Sequence, residues 1–484
     1  MDRALFAHGF DGVAIYSGSA GFAFLDDHSY PFRANPHFKH WVPLTALQQS
    51  FVGYIPGHKP VLCFHQPADY WHKPPVLPSG SWLGEFSLEV LRDADRARDL
   101  LGLDGRRVAF IGEWQARFAD WGFAAANPEG LLNELHYHRA VKTPYELECM
   151  RRASLMAARG HVAARDAFTS GASEFETHLA YCAAVGQRDE DLPYGNIIAF
   201  NENAAVLHYQ HLAHERDGPR RSFLIDAGAQ FRGYAADITR TYSTGDGEFA
   251  DLVRGMDELQ LVLCAAIRSG ADYREIHLLA HRLIAGLLLD AGVIEGDADD
   301  AVASGLSSVF FPHGIGHLLG LQVHDIAGLA GDPSGTEIPR PAGHPYLRLT
   351  RRLEPGFVVT IEPGIYFIDL LLQEARAGAN GQRIRWDAVE RLRLYGGIRI
   401  EDDVACTAGT CPLLCLQQVA DLGEQRNVRR RGRGSGRRRR LELVDGLQRH
   451  EDRGRDHHEI DRGLQECPVL QQHGRARRVA AQVD

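Results

Sequence analysis

Between Glu146 and Phe168 the apolar residues Leu147, Met150, Leu155 and Met156 recur at helical spacing, which predicts an amphipathic helix packed on one face. Phe249 to Arg268 and Tyr273 to Ala291 repeat that period. Between and after them lie strand-like runs: Ser222 to Ile225, Tyr234 to Tyr242, Phe357 to Ile361 and Gly397 to Glu401. Helices and strands come in runs without strict βαβ alternation, so the expected class is α+β, built on an antiparallel sheet. The chain before about residue 140 reads differently. Short apolar runs such as Gly12 to Ile15 and Pro60 to Phe64 stand among aromatic and proline-rich turns, and predict a smaller α/β domain. Thr143-Pro144-Tyr145-Glu146 marks the boundary: Thr caps a helix, Pro takes its first position and Glu completes the capping box. The expected domains are therefore 1–140 and 141–408.

Composition adds limits. The 484 residues are 44% apolar and 24% charged, ordinary globular material with enough chain for two cores. No run of about eighteen apolar residues occurs and the N-terminus lacks the charged and apolar segments of a secretory signal, so a soluble, cytoplasmic protein is expected, with no membrane partner. A formal charge of -10 argues against nucleic-acid binding, which needs clustered Lys and Arg, and favours small substrates. The eight cysteines (Cys63, Cys149, Cys182, Cys264, Cys406, Cys411, Cys415, Cys467) show no framework spacing and are expected as reduced, mostly buried thiols.

After about Gly409 the character changes. The last 76 positions hold sixteen Arg, no Lys and no aromatic residue. Sixteen Arg against eleven acidic residues is only +5, too little for a nucleic-acid arm. The whole chain has four lysines (Lys39, Lys59, Lys73, Lys142) against many arginines, which points to GC-rich coding DNA, and such DNA read out of frame yields Arg, Gly, Ala and Leu. Residues 409–484 are therefore expected to be anomalous, arising from a frameshift, or disordered.

The chemistry-bearing residues are spread between these elements. Asp226 stands where the apolar run Leu224-Ile225 meets the turn Ala227-Gly228, and Asp237 follows eleven residues later. A hairpin brings such a pair side by side, and two close carboxylates either share a proton or hold a cation. Each Asp alone reads as a turn former. His313, His317 and His324 then fall within twelve residues among glycines, a pattern better suited to a metal or proton-transfer site than to core packing. Glu362 and Glu401 each follow an apolar run, and a glutamate buried there needs a partner such as a divalent cation. Four carboxylates and one imidazole suit Mn²⁺ best, with Co²⁺, Zn²⁺ and Fe²⁺ as chemical alternatives. Two ions about 3.5–4 Å apart can share a hydroxide nucleophile and polarise a carbonyl, so hydrolysis is the expected reaction class.

The segments LIDAGA, ADITRT, HGIGHLLGLQVHD, TIEPGIYF and GIRIED closely resemble, in order and wording, the metal-binding segments of bacterial prolidases, the Xaa-Pro dipeptidases of the pita-bread (creatinase/aminopeptidase-like) fold. This subgroup includes enzymes known as organophosphorus acid anhydrolases. FLDDHSYPF, DLPYGNI, NENAAVLHY and GHPYLRLTR extend the resemblance over roughly residues 10 to 408. It implies a C-terminal pita-bread domain, two divalent ions per subunit, most simply Mn²⁺, cleavage of Xaa-Pro dipeptides with a side activity on organophosphate triesters, and a homodimer. By position, it makes Asp226 a terminal ligand of one ion, Asp237 and Glu401 bridging ligands, and His317 and Glu362 ligands of the other. Glu362 is also the implied general base, with His208 and His324 lining the site. His313 and Arg399 are implied to hold the substrate's C-terminal carboxylate. Tyr194, Tyr273 and Leu347 would shape side-chain pockets, and Asp27 or its neighbour Asp26 would reach a partner subunit's site.

The chain departs from that family at both ends: the helix expected before Asp11 is missing, which predicts a start further upstream, and the usual ending after Val404 is replaced by the Arg-rich tail. Two rival readings share the fold: an Xaa-Pro or methionine aminopeptidase, and a non-catalytic binding protein. HPYLR and LPYGNI favour the dipeptidase over the first, and the full set of five ligands disfavours the second.

Overall fold

The computed structural model describes residues 1–408, so the Arg-rich stretch from 409, with Cys411, Cys415 and Cys467, lies outside the described residues. The chain forms two compact units. The first comprises Met1–Arg139 with the short insertions Arg232–Tyr234 and Ala330–Glu337; the second takes Ala140–Phe231, Ala235–Leu329 and the chain from Ile338.

In the first unit a six-stranded mixed sheet runs in the order Ser87–Leu91, Val61–His65, Phe51–Tyr54, Gly12–Tyr16, Val108–Ile111, Ala125–Ala126. Gly12–Tyr16 is central, antiparallel to Phe51–Tyr54 and parallel to Val108–Ile111. Its run GVAIY is buried throughout because both sheet faces are covered: Val13 and Ile15 enter one apolar cluster, Ala14 and Tyr16 the other. A short helix, Asp2–Ala7, precedes Asp11 and buries Ala4 and Leu5.

The second unit opens with the helix Pro144–Thr169. Its start is the capping box read from the sequence: the Glu146 amide donates to Thr143 Oγ1 at 3.4 Å, and the Thr143 amide to the Glu146 carboxylate at 2.8 Å. The helices Glu248–Ala265 and Tyr273–Asp290 turn Leu252, Met256 and Leu263, and Ile276, Ile284 and Leu288, into the largest core cluster. Each such side chain, removed from water, contributes about 1.5–3 kcal/mol.

The strand pairs named next are antiparallel, and of the four runs the hydrophobic pattern predicts, all but Ser222 to Ile225 are shortened or broken. Ile197–Phe200, Ser222–Asp226 and Thr239–Ser243 form one sheet, Val358–Ile361 pairs with Asp402–Ala405, and Gly364–Tyr366 with Gly397–Arg399. The run from Tyr234 to Tyr242 is broken at 236–238, and the run ending at Glu401 stops at Arg399 before changing partners. These breaks hold Asp237 and Glu401. A ladder that changes partner there turns their side chains inward together.

Cys63 and Cys406 are buried free thiols, Cys149 and Cys264 are buried, and Cys182 is half-buried. Among the described residues, no helix is long and apolar enough to cross a membrane.

Candidate metal centre

Backbone pairing assembles the centre from four segments. Asp226 ends its strand opposite Thr239 on one side and Ile197 on the other. Thr239 also bridges to Glu401, its carbonyl accepting the Glu401 amide at 3.0 Å. From Asp402 the chain pairs with Ile361, next to Glu362. The segment 315–319 then lies along that strand, the Glu362 amide donating to the Ile315 carbonyl at 2.9 Å and the Thr360 amide to the His317 carbonyl at 3.0 Å. Gly316 allows this approach: a Cβ there would run into the Thr360 carbonyl and the Tyr273 hydroxyl.

One donor atom each from Asp237, His317 and Glu401 lies within 4.8 Å of the other two, and all three residues are buried. Glu362 joins them through His317, Nε2 to Oε1 being 3.7 Å. Asp226 joins through Tyr194, whose hydroxyl lies 2.8 Å from Asp226 Oδ1 and 2.5 Å from Asp237 Oδ1. All five sequence-predicted ligands therefore gather in one place. The His317 ring is oriented by the Leu318 carbonyl, 3.0 Å from Nδ1, which leaves Nε2 facing the acids.

Burial is the first cause of the electrostatics here. It raises Asp226 and Glu401 above the ordinary carboxylate range and Glu362 to about 7, with neighbouring carboxylates adding to the effect. Burial acts on Asp237 in the same direction, but its contact with His317 outweighs it and holds that carboxyl low. The same pairing overcomes the burial of His317 and lifts it to about 9. Four carboxylates this close cannot all keep their charge unaided, and Arg399 reaches two of them: Nη2 donates to Asp226 Oδ2 at 2.6 Å, and Nε lies 4.0 Å from Glu401 Oε2. The oxygen-rich donor set, the unbalanced charge and the oriented imidazole all fit divalent cations.

The other predicted residues are placed as follows. His324 packs edge-on against His317, ring centroids 4.5 Å apart, and burial, then the charge of His317, lowers it to about 4. His208 is exposed and close enough for its charge to act on His313 and His324. His313 Nε2 meets the Tyr366 hydroxyl at 2.8 Å, and Nδ1 is 3.7 Å from Glu362. Arg399 also donates to that Tyr366 hydroxyl, at 3.0 Å. Tyr273 is fully buried, its hydroxyl donating to the Thr360 carbonyl at 2.8 Å. Leu347 lines a cavity of about 200 Å³ with His313. Asp27 belongs to the first unit, on an exposed bend between Phe22 and Ser29.

Several working residues escaped the sequence reading. Thr360 Oγ1 accepts the His317 amide at 3.1 Å and faces Glu362 at 3.4 Å. Thr239 Oγ1 donates to Glu401 at 2.6 Å. Asp403 accepts the Asp237 amide at 3.2 Å. Alternation in ADITRT and GIRIED was the available signal for Thr239, since it sets Thr239 and Thr241 on one face of their strand and Arg399 and Glu401 on one face of theirs, and the fold turns these two faces together.

Residues 1–137 match the family model described as the Xaa-Pro dipeptidase N-terminal domain, and residues 148–408 match metallopeptidase family M24. A Xaa-Pro dipeptidase of Stenotrophomonas maltophilia (strain R551-3) is 51% identical over 409 residues, 84% of this chain and 92% of the relative. One from Xanthomonas euvesicatoria pv. vesicatoria (strain 85-10) is 50% identical over 410 residues, with the same shares. Among solved structures, Pseudomonas aeruginosa aminopeptidase PepP is similar at a TM-score of 0.66 and 25% identity, covering 87% of this chain and 95% of that one. An Escherichia coli aminopeptidase P variant in complex with substrate, at TM-score 0.66 and 22% identity over 86% of this chain and 94% of that one, shares the fold.

Proposed function

The chain belongs to metallopeptidase family M24, and from that membership and its metal centre we propose that it hydrolyses Xaa-Pro dipeptides using two divalent ions. The observation that carries this reading is the convergence of Asp237, His317 and Glu401 donor atoms within 4.8 Å, with Asp226 and Glu362 tied to them. Asp226 would be terminal to one ion, His317 and Glu362 to the other, with Asp237 and Glu401 shared. When bound, the ions supply charge that acidifies a water molecule and polarises the scissile carbonyl. Mn²⁺ is the ion that the carboxylate-rich set suits best.

The remaining work falls to side chains. Glu362, which burial raises to about 7, accepts a proton from the attacking water and returns it to the leaving amine. His324 and His208 stabilise charge around the reacting carbon. Arg399, no longer the only counter-charge of Asp226 once a cation is present, offers its fork with His313 to the dipeptide's C-terminal carboxylate. A site that needs that carboxylate beside the prolyl ring rejects longer peptides. Tyr194, Tyr273 and Leu347 shape the pockets, and Asp27 serves a partner's site in a homodimer. The same nucleophile supports a side activity on phosphotriesters, and the setting is cytoplasmic.

An aminopeptidase of this fold is the second reading, favoured by what the similar solved structures are named. Mn²⁺-loaded protein tested on Leu-Pro and on a Leu-Pro-Xaa tripeptide separates the two. The expected result is Leu-Pro cleavage, lost to chelator and restored by Mn²⁺. Preference for the tripeptide overturns the proposal, and failure to bind Mn²⁺ would favour a binding protein.

A further inference from the structure

A second group of metal-competent side chains lies outside the carboxylate centre. His277 and His281 are one turn apart on the helix Tyr273–Asp290, so their rings leave the same face. His344 comes from the turn after Pro341. The three rings pack as a near-equilateral triangle, with centroids 4.7, 4.6 and 4.5 Å apart. One ring nitrogen from each lies within 4.8 Å of the other two. We propose that His277, His281 and His344 form a third, mononuclear metal site that takes a nitrogen-seeking ion such as Zn²⁺.

Four observations support it. His277 Nε2 and His344 Nδ1 are 3.0 Å apart, so at least one of them is unprotonated and offers a lone pair. Ser307 Oγ, 2.9 Å from His281 Nδ1, can accept a hydrogen bond from Nδ1–H and so leave the Nε2 lone pair as the ligand, the usual way a neighbouring group fixes a metal-binding imidazole. His281 Nε2 is buried and has no hydrogen-bond partner, and neither has His277 Nδ1, although both side chains are about 1% exposed. Burial also lowers all three rings, His277 to about 2 and His281 to about 3, so they are neutral near pH 7 as metal ligands must be. A purely structural histidine core has no need of three imidazoles with a nitrogen of each within 4.8 Å of the others.

Ligand type separates this site from the other. Three imidazoles suit Zn²⁺, whereas the carboxylate centre suits Mn²⁺. His277, His281 and His344 all line the cavity of about 200 Å³ that His313 and Leu347 also line. A cation there narrows the space beside His313, and His313 in turn stands 3.7 Å from Glu362. Zn²⁺ bound at this place therefore weakens substrate binding while leaving the Mn²⁺ ions seated.

The test uses the full chain loaded with Mn²⁺, equilibrated with rising Zn²⁺, desalted and analysed for both metals. One Zn²⁺ per chain with Mn²⁺ retained, absent in both His344→Gln and His281→Gln, is the expected result. His344 is half-exposed, so its variant keeps the test open if the buried His281→Gln misfolds. KM for Leu-Pro should rise several-fold with Zn²⁺ in the parent chain at nearly constant kcat, and stay flat in His344→Gln. Zn²⁺ uptake equal in parent and variants, or only in exchange for Mn²⁺, overturns the site. Inactivity of the Mn²⁺-loaded parent on Leu-Pro would count against the hydrolase reading alone, because the metal stoichiometry is read separately.

Discussion

Replacing Glu401 by Gln should stabilise the protein when metal is stripped away and cripple it when metal is present. The side chain is 2% exposed, and its donor atom lies within 4.8 Å of those of Asp237 and His317. At that distance and at the effective dielectric of about 20 that fits protein sites, the Asp237 charge repels that of Glu401 by about 3 kcal/mol on top of the cost of burial, and Arg399, 4.0 Å away, offsets part of it. Glu401 escapes part of this by keeping its proton, so the net gain from Gln should be about 1–3 kcal/mol, or roughly 3–8 °C in Tm. Gln can still accept the Thr239 hydroxyl, which isolates the effect of charge. The pH dependence fixes the sign. A carboxyl whose folded pKa is raised costs nothing below its ordinary value of 4.5, where folded and unfolded chains both hold the proton, and costs progressively more as pH climbs above it. The Gln variant should thus match the parent below about pH 4.5 and exceed it in chelator at pH 8. With saturating Mn²⁺ the order reverses, because the variant loses a ligand and the stabilisation that binding confers. Scanning fluorimetry on both proteins, with chelator and with Mn²⁺ across pH 4–8, reads all of this. An E401Q Tm in chelator at pH 8 equal to or below the parent's refutes the reasoning.

Other outcomes follow from the same geometry. Mn²⁺ uptake by stripped protein should strengthen between about pH 6 and 9 as Glu362, near 7, and His317, near 9, lose protons, and calorimetry at pH 7 in two buffers should show more than one proton released per chain; affinity independent of pH would sink this. Tyr194→Phe removes the hydroxyl shared by Asp226 and Asp237 and should weaken Mn²⁺ binding about 10–100-fold, measured by competition with a chelating dye. Arg240→Met leaves Asp402 buried without its 2.6 Å partner and should cost about 3–5 kcal/mol in urea unfolding, whereas an exposed pair such as Arg385 with Glu295 should cost under about 1 kcal/mol.

What was legible in the sequence was local. Thr143 to Glu146 announced a helix start, and the apolar periods placed Glu248–Ala265 and Tyr273–Asp290 within a few residues. The metal motifs were readable because ligand, turn and strand sit side by side in each. Partner changes were not. Hydrophobic alternation runs through Asp237 without marking where a strand leaves one neighbour for the next, and at Glu401-Asp402-Asp403 it stops without naming the new partner. Long-range contacts were hidden for the same reason: Tyr194 meets Asp237 across 43 residues. His277 and His281 stood visibly at helical spacing in an apolar helix, but His344, 67 residues beyond His277, meets them only through the fold.

The bridge between Thr239 and Glu401 spans 162 residues, and this sets an order of events at the ribosome. The chain emerges N-terminus first, so Asp226 and Asp237 are in solution long before Glu401 is made. Until then the nascent unit carries Asp226 and Asp237 without Glu401 and without the strand Asp402–Ala405 that pairs with Val358–Ile361. If the centre holds metal as proposed, loading would be a late act that waits for the end of the unit to be made.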